Sequence, residues 1–163
     1  MKNLKADKAK ILLIGIGNTG RSDDGLGWKF VELISNAGFA DVDFEFRYQL
    51  QIEDALLVSR YDKVVFVDSS HTELDNGFVM QCCLTAQHYF FSSHIQTPET
   101  ILYLASELYN KTPEAYTLAI SAKDWRIGTV LSKEAEKNLQ KAVSFFEDVF
   151  IPSVNETNKT FII

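Results

Sequence analysis

Ile11-Leu12-Leu13-Ile14-Gly15-Ile16-Gly17-Asn18-Thr19-Gly20-Arg21-Ser22-Asp23-Asp24-Gly25-Leu26-Gly27 decides the fold. From Lys10 to Ile16 the run is apolar without alternation. A strand with that pattern is buried on both faces, as at the centre of a parallel sheet. Gly15, Gly17 and Gly20 break it into a loop. A helix is predicted from near Asp24 through Trp28, Phe30, Val31 and Ile34, with Gly38 as its stop.

The same alternation continues outward. Val42, Phe44, Phe46 and Tyr48 alternate with polar residues and read as a second strand, ending in Arg47-Tyr48. A short helix is expected over Glu53 to Tyr61. Lys63 to Asp68 reads as another buried strand, ending in a carboxylate, and Phe78 to Leu84 as a further strand. Thr97-Pro98-Glu99 combines a capping residue, a proline at the first helical position and an early acid, so a helix starts there and reaches about Tyr109. Tyr116 to Ser121 is a strand. Ser132 caps a last amphipathic helix through about Val149, which Pro152 ends.

Strands alternating with helices imply an α/β fold: a mostly parallel twisted sheet with helices on both faces. Binding sites in such sheets lie outside the carboxyl ends of the strands. That rule selects Gly15 to Asp24, Asp68 to His71, and the loop after Phe78 to Leu84.

A chain of 163 residues, 46% hydrophobic and 23% charged, suits one globular domain. The core is expected over about 10–150, with a polar C-terminal tail over 152–163. A net charge of −6, with no basic cluster among aromatics, argues against a nucleic-acid partner. The apolar run Ile11 to Ile16 is too short for a signal-peptide core and nothing approaches a membrane span, so a cytoplasmic, monomeric protein is expected. Cys82 and Cys83 are adjacent and would point to opposite faces of a strand, so they are read as two packed thiols with no mutual disulfide. Without a secretory leader, the glycosylation sequons at Asn110, Asn155 and Asn158 are read as coincidence.

Gly15-Ile16-Gly17-Asn18-Thr19-Gly20 also fits the G-x-G-x-x-G turn of dinucleotide-binding proteins. Asp23 and Asp24 argue against that reading, because two carboxylates at the helix start repel a pyrophosphate. Arg47 keeps a phosphorylated dinucleotide formally open. One of the two acids is expected to serve the helix terminus, while the other faces the crevice and is available to a cation. Asp68 lies level with that loop. Its bland reading, a turn or cap residue, is an even match on position alone. Among three histidines, His71 comes three residues after Asp68 and His94 precedes the Thr97 helix. His88 sits among aromatics and is read as packed. Spacing does not choose between His71 and His94. Two carboxylates and an imidazole suit nickel or zinc with coordination positions left open.

The run Gly15 to Gly27 resembles the opening motif of the hydrogenase maturation proteases, in which a G-x-G-N loop leads to D-[DE]-G-x-G and the second acid binds metal. The resemblance covers roughly residues 10–150 and implies a three-layer, phosphorylase/peptidyl-hydrolase-like fold. It places the metal-binding and catalytic roles on Asp24, on Asp68 in Val64-Val65-Phe66-Val67-Asp68-Ser69, and on His94 in Ser92-Ser93-His94. The activity it implies is removal of a C-terminal extension from the large-subunit precursor of a nickel–iron hydrogenase, with nickel carried in by that precursor. By hypothesis a water activated by the metal attacks the peptide carbonyl while a carboxylate moves the proton. The sequence departs from the family at Arg47-Tyr48-Gln49-Leu50, where members often carry glycines, and at Ile95-Gln96-Thr97-Pro98. Two alternatives stand beside the protease: a non-catalytic, nickel-dependent binding module or chaperone of the same fold, and a nicotinamide-dinucleotide oxidoreductase using the Gly15–Gly20 turn.

Overall fold

The computed structural model describes residues 10–89 and 95–156. Five strands form one sheet: β1 (Ile11–Ile16), β2 (Val42–Arg47), β3 (Lys63–Ser70), β4 (Phe78–Cys82) and β5 (Glu114–Ser121). Their spatial order is β2-β1-β3-β5-β4. All neighbours run parallel except β4, which pairs antiparallel with β5 at the edge.

Alternation along the strands feeds two hydrophobic layers. Ile11 and Leu13 of β1, Val65 and Val67 of β3, and Leu118 and Ile120 of β5 face one layer. There they meet α1 (Leu26–Ala37) and α4 (Lys133–Phe145). Leu12, Ile14, Val64 and Phe66 face the other, under α2 (Asp54–Val58) and α3 (Pro98–Tyr109). All six β1 residues are buried, as the unbroken apolar run requires. The three-layer α/β reading therefore holds, with a mixed sheet because of β4.

Local signals set the helix ends where expected. Gly38 closes α1 in the left-handed conformation, φ 77°. The hydroxyls of Thr97 and Ser132 accept the N–H groups of Thr100 and Ala135. The expected stop at Pro152 does not occur. After α4 the chain makes a π-helical turn over Phe146–Phe150 and continues as α5 (Ile151–Asn155). Pro152 sits in the first turn of α5, where its missing N–H costs little. Buried Phe146, Phe150 and Ile151 supply the driving force, with Val154 packed against the same layer. Helix thus replaces the start of the predicted tail.

Cys82 and Cys83 are free thiols on opposite sides, but only Cys83 is buried; Cys82 is exposed. No described helix is long and apolar enough to cross a membrane.

The order of strands fixes where a site can form. From β1 the chain moves outward to β2, then returns past β1 to β3. The carboxyl ends of β1 and β3 flank this reversal, where the connections diverge and leave a crevice.

Candidate active site at the β1–β3 switch point

Two glycines bring α1 against the strand ends. At Gly27 a Cβ would lie 2.4 Å from the carbonyl oxygens of both Ile16 and Val67. Only a bare backbone lets the first turn of α1 sit across β1 and β3. Gly17 has φ 135°, and a Cβ there would lie 1.9 Å from the Asp24 carbonyl oxygen. The loop after β1 therefore folds back onto Asp24.

The neighbouring acids separate into two roles. Asp23 is fully buried. Its Oδ1 accepts the Ser132 N–H at 2.7 Å. Its Oδ2 accepts the Ser132 hydroxyl at 2.7 Å and the N–H groups of Lys123 and Asp124 at 2.8 Å each. Burial alone would raise its pKa, but these donors outweigh burial and hold it below the usual carboxylate value. Asp23 ties the glycine loop to the β5–α4 connection. Asp24, in the short 3₁₀ turn Ser22–Gly25, is half-buried and turns to the crevice. Its Oδ2 accepts the Asn18 N–H at 3.1 Å and its Oδ1 the Ser69 hydroxyl at 3.3 Å.

Asp68 arrives from β3. Pairing between β1 and β3 ends at Gly15–Val67, so Asp68 is the first β3 residue beyond β1. The strand continues beside β5 to Ser70, two residues further than predicted. Asp68 thus stands on a rigid strand, open on the side of the glycine loop. The Ser69 N–H donates to Asp68 Oδ1 at 2.7 Å. Water reaches the side chain, yet protein crowds the carboxyl on most sides. That crowding, together with the like charge of Asp24, pushes its pKa up to about 6 against the help of Ser69.

Two acids facing each other across one serine suit a divalent cation, which would relieve the repulsion that lifts the Asp68 pKa. Among the described residues no group of three ligating side chains can hold a metal. The predicted third ligand, His94, lies outside the described residues. His71 does not join Asp24 and Asp68. It is exposed and stacks flat on Trp125, with ring centroids 3.6 Å apart and planes 14° from parallel. His88 is exposed, contrary to its reading as a packed residue; it follows β4 in an open loop.

The dinucleotide alternative loses both its supports. The Asn18 N–H, which a pyrophosphate would need, is taken by the Asp24 carboxylate. Arg47 is held by Glu45 at 2.7 Å and by buried Asp54 at 2.9 Å, so its guanidinium is committed. Its carbonyl accepts the N–H of Gly17 and the indole N–H of Trp28. Arg47 thereby braces the loop after β1.

Sequence reasoning missed Ser69, although it directly follows Asp68. It also missed the partners of Asp23, which lie 100 to 109 positions along the chain.

No protein-family model matches the sequence, and no curated protein matches it. Solved structures do match. The hydrogenase maturating endopeptidase HybD from E. coli superposes with a TM-score of 0.68 at 14% identity, over 88% of this chain and 93% of that one. The [NiFe] hydrogenase maturation protease HycI from Thermococcus kodakarensis KOD1 gives 0.65 at 19% identity, over 93% and 96%. The hydrogenase 2 maturation peptidase from a Thaumarchaeota archaeon gives 0.63 at 21%, over 86% and 97%. The chain has the hydrogenase maturation protease fold. The resemblance drawn from residues 15–27 and the superposition of nearly the whole chain agree.

Proposed function

We propose that this protein is an endopeptidase that removes a C-terminal extension from the nickel-loaded large-subunit precursor of a nickel–iron hydrogenase. The observation that carries this reading is the convergence of Asp24 and Asp68 at the β1–β3 switch point of a maturation-protease fold. In this reading Asp24, Asp68 and His94 hold nickel, which arrives as part of the precursor. A divalent ion so held supplies Lewis acidity to an adjacent carbonyl or water.

The residues of the chain divide the remaining work. Asn18 and Ser69 hold both oxygens of Asp24, so its charge stays oriented to the crevice. In the metal-free site, crowding and the like charge of Asp24 push the pKa of Asp68 up to about 6, and a divalent cation held between the two acids would draw it down again. Ser69 contacts Asp68 Oδ1, which leaves Oδ2 without a hydrogen bond among the described residues and available to a cation. The strand beneath Asp68 holds its backbone in place.

The test is mass spectrometry of a nickel-loaded precursor incubated with the protein. Loss of a C-terminal peptide, abolished by Asp24→Ala and Asp68→Ala, is expected. Stable association without any loss of mass would instead favour a non-catalytic binding module. Cleavage that survives both substitutions would overturn the site.

A further inference from the structure

We propose that Ser69 is a positioning residue that fixes the distance between the two carboxylates and thereby sets the metal affinity of the site. The inference rests on the assignment of Asp24 and Asp68 as metal-binding groups. Ser69 reaches both acids with different atoms: its N–H donates to Asp68 Oδ1 at 2.7 Å, and its hydroxyl lies 3.3 Å from Asp24 Oδ1. The same hydroxyl lies 3.5 Å from Asp68 Oδ1. One hydroxyl carries one proton. Asp68 already holds the stronger N–H bond, so the hydroxyl proton goes to Asp24.

The backbone beneath this bridge is rigid. Ser69 pairs with Ile120 in the β3–β5 ladder, so its N–H direction is set by the sheet. Asp24 has one further anchor, the Asn18 N–H on the glycine loop. Without the Ser69 hydroxyl, two like charges face each other with no donor between loop and strand, and the Asn18 N–H alone holds Asp24 against rotation. The sheet-borne serine therefore transmits the fixed position of β3 to a residue on a loop. Groups of this kind, which orient metal-binding side chains without touching metal, typically change affinity by about 10- to 100-fold when removed.

The test is calorimetric titration of the metal-free full chain with nickel(II), comparing the native protein with Ser69→Ala, Ser69→Thr and Ser70→Ala. Ser69→Ala should weaken binding by about tenfold at unchanged stoichiometry. Ser69→Thr, which keeps the hydroxyl on a strand-favouring side chain, should restore it. Ser70→Ala should bind as the native protein does. Melting temperatures of all four establish that each is folded. Equal affinity of Ser69→Ala and native protein overturns the role of Ser69 alone, as does equal weakening by Ala and Thr. Failure of the native protein to bind nickel overturns the metal site itself and this role with it.

Discussion

Asp23 and Ser132, 109 positions apart, are joined by two hydrogen bonds of 2.7 Å, one from the Ser132 N–H and one from its hydroxyl. The same hydroxyl caps α4 by accepting the Ala135 N–H. One buried carboxylate thus fixes the start of α4, the loop after β5 and the loop after β1. Asp24, one residue along, is left to the crevice. Asp23 is a structural anchor, and Asp24 beside it is the proposed metal-binding group.

Replacement of the two acids should therefore have unequal consequences for stability. Asp23→Ala deprives three backbone N–H groups and a hydroxyl of their acceptor at a fully buried side-chain position. It should cost about 3–5 kcal/mol of stability. Asp24→Ala removes a half-buried group with two bonds and should cost no more than about 1 kcal/mol. Urea denaturation midpoints of the two variants measure the difference. Equal losses would mean that the division of roles is wrong.

The two perturbed carboxylates predict opposite pH slopes. Asp23 has its native pKa below the ordinary aspartate value of 3.8, so its contribution is present above that value and is lost as pH falls through the native pKa. The Asp23→Asn variant should show a flatter acid limb than the native protein. Asp68 has its native pKa raised to about 6, so the protonated acid favours the fold. That contribution is complete below about 3.8 and is lost as pH rises through about 6. Asp68→Asn should then be more stable than the native protein at pH 7 to 8, by less than about 1 kcal/mol once solvent screening is counted, and equal to it below pH 4. Melting temperatures across pH 3 to 8 test both slopes. An Asp68→Asn variant less stable than native at pH 8 would refute the assignment.

How far these sites were legible follows from the range of the interactions. β1, α1 and α3 were legible because their signals are local: an unbroken apolar run, Gly38, and Thr97-Pro98. That the loop carrying Asp24 and the strand end carrying Asp68 share one edge of the sheet was legible from the order of strands and helices, whereas position alone did not separate a functional Asp68 from a turn residue. The partners of Asp23 were not, since no local pattern couples residue 23 to residues 123–132. Nor was the continuation past Pro152, where burial of Phe146, Phe150 and Ile151 outweighs a local stop signal. His88 was read as packed because aromatics adjoin it in sequence, but an open loop carries it into solvent.

Gly27 offers a test of how the helix is seated. A Cβ there would stand 2.4 Å from two backbone carbonyl oxygens that belong to different strands. Neither strand end can yield without disturbing the sheet. Gly27→Ala should lift the first turn of α1, lowering stability by about 1–3 kcal/mol or more. It should also displace Asp24 and weaken nickel binding. Gly38→Ala, with open space around it, should cost only the strain of its left-handed backbone, about 1 kcal/mol, and leave metal affinity unchanged. Thermal melts and nickel titrations of both variants make the comparison.

The histidine ligand can be decided by two substitutions. His71 lies on the ring of Trp125, and a residue committed to that stack does not converge with Asp24 and Asp68. His71→Ala should change the tryptophan fluorescence by removing the stacked ring, while nickel affinity stays within about twofold. His94→Ala should abolish nickel binding at micromolar protein. Calorimetry and emission spectra of the same samples give both readouts. If His71→Ala abolishes binding and His94→Ala does not, the imidazole must leave Trp125 to reach the metal. The β3–β4 connection would then be a moving part of the site, with the stacked pair as its resting position.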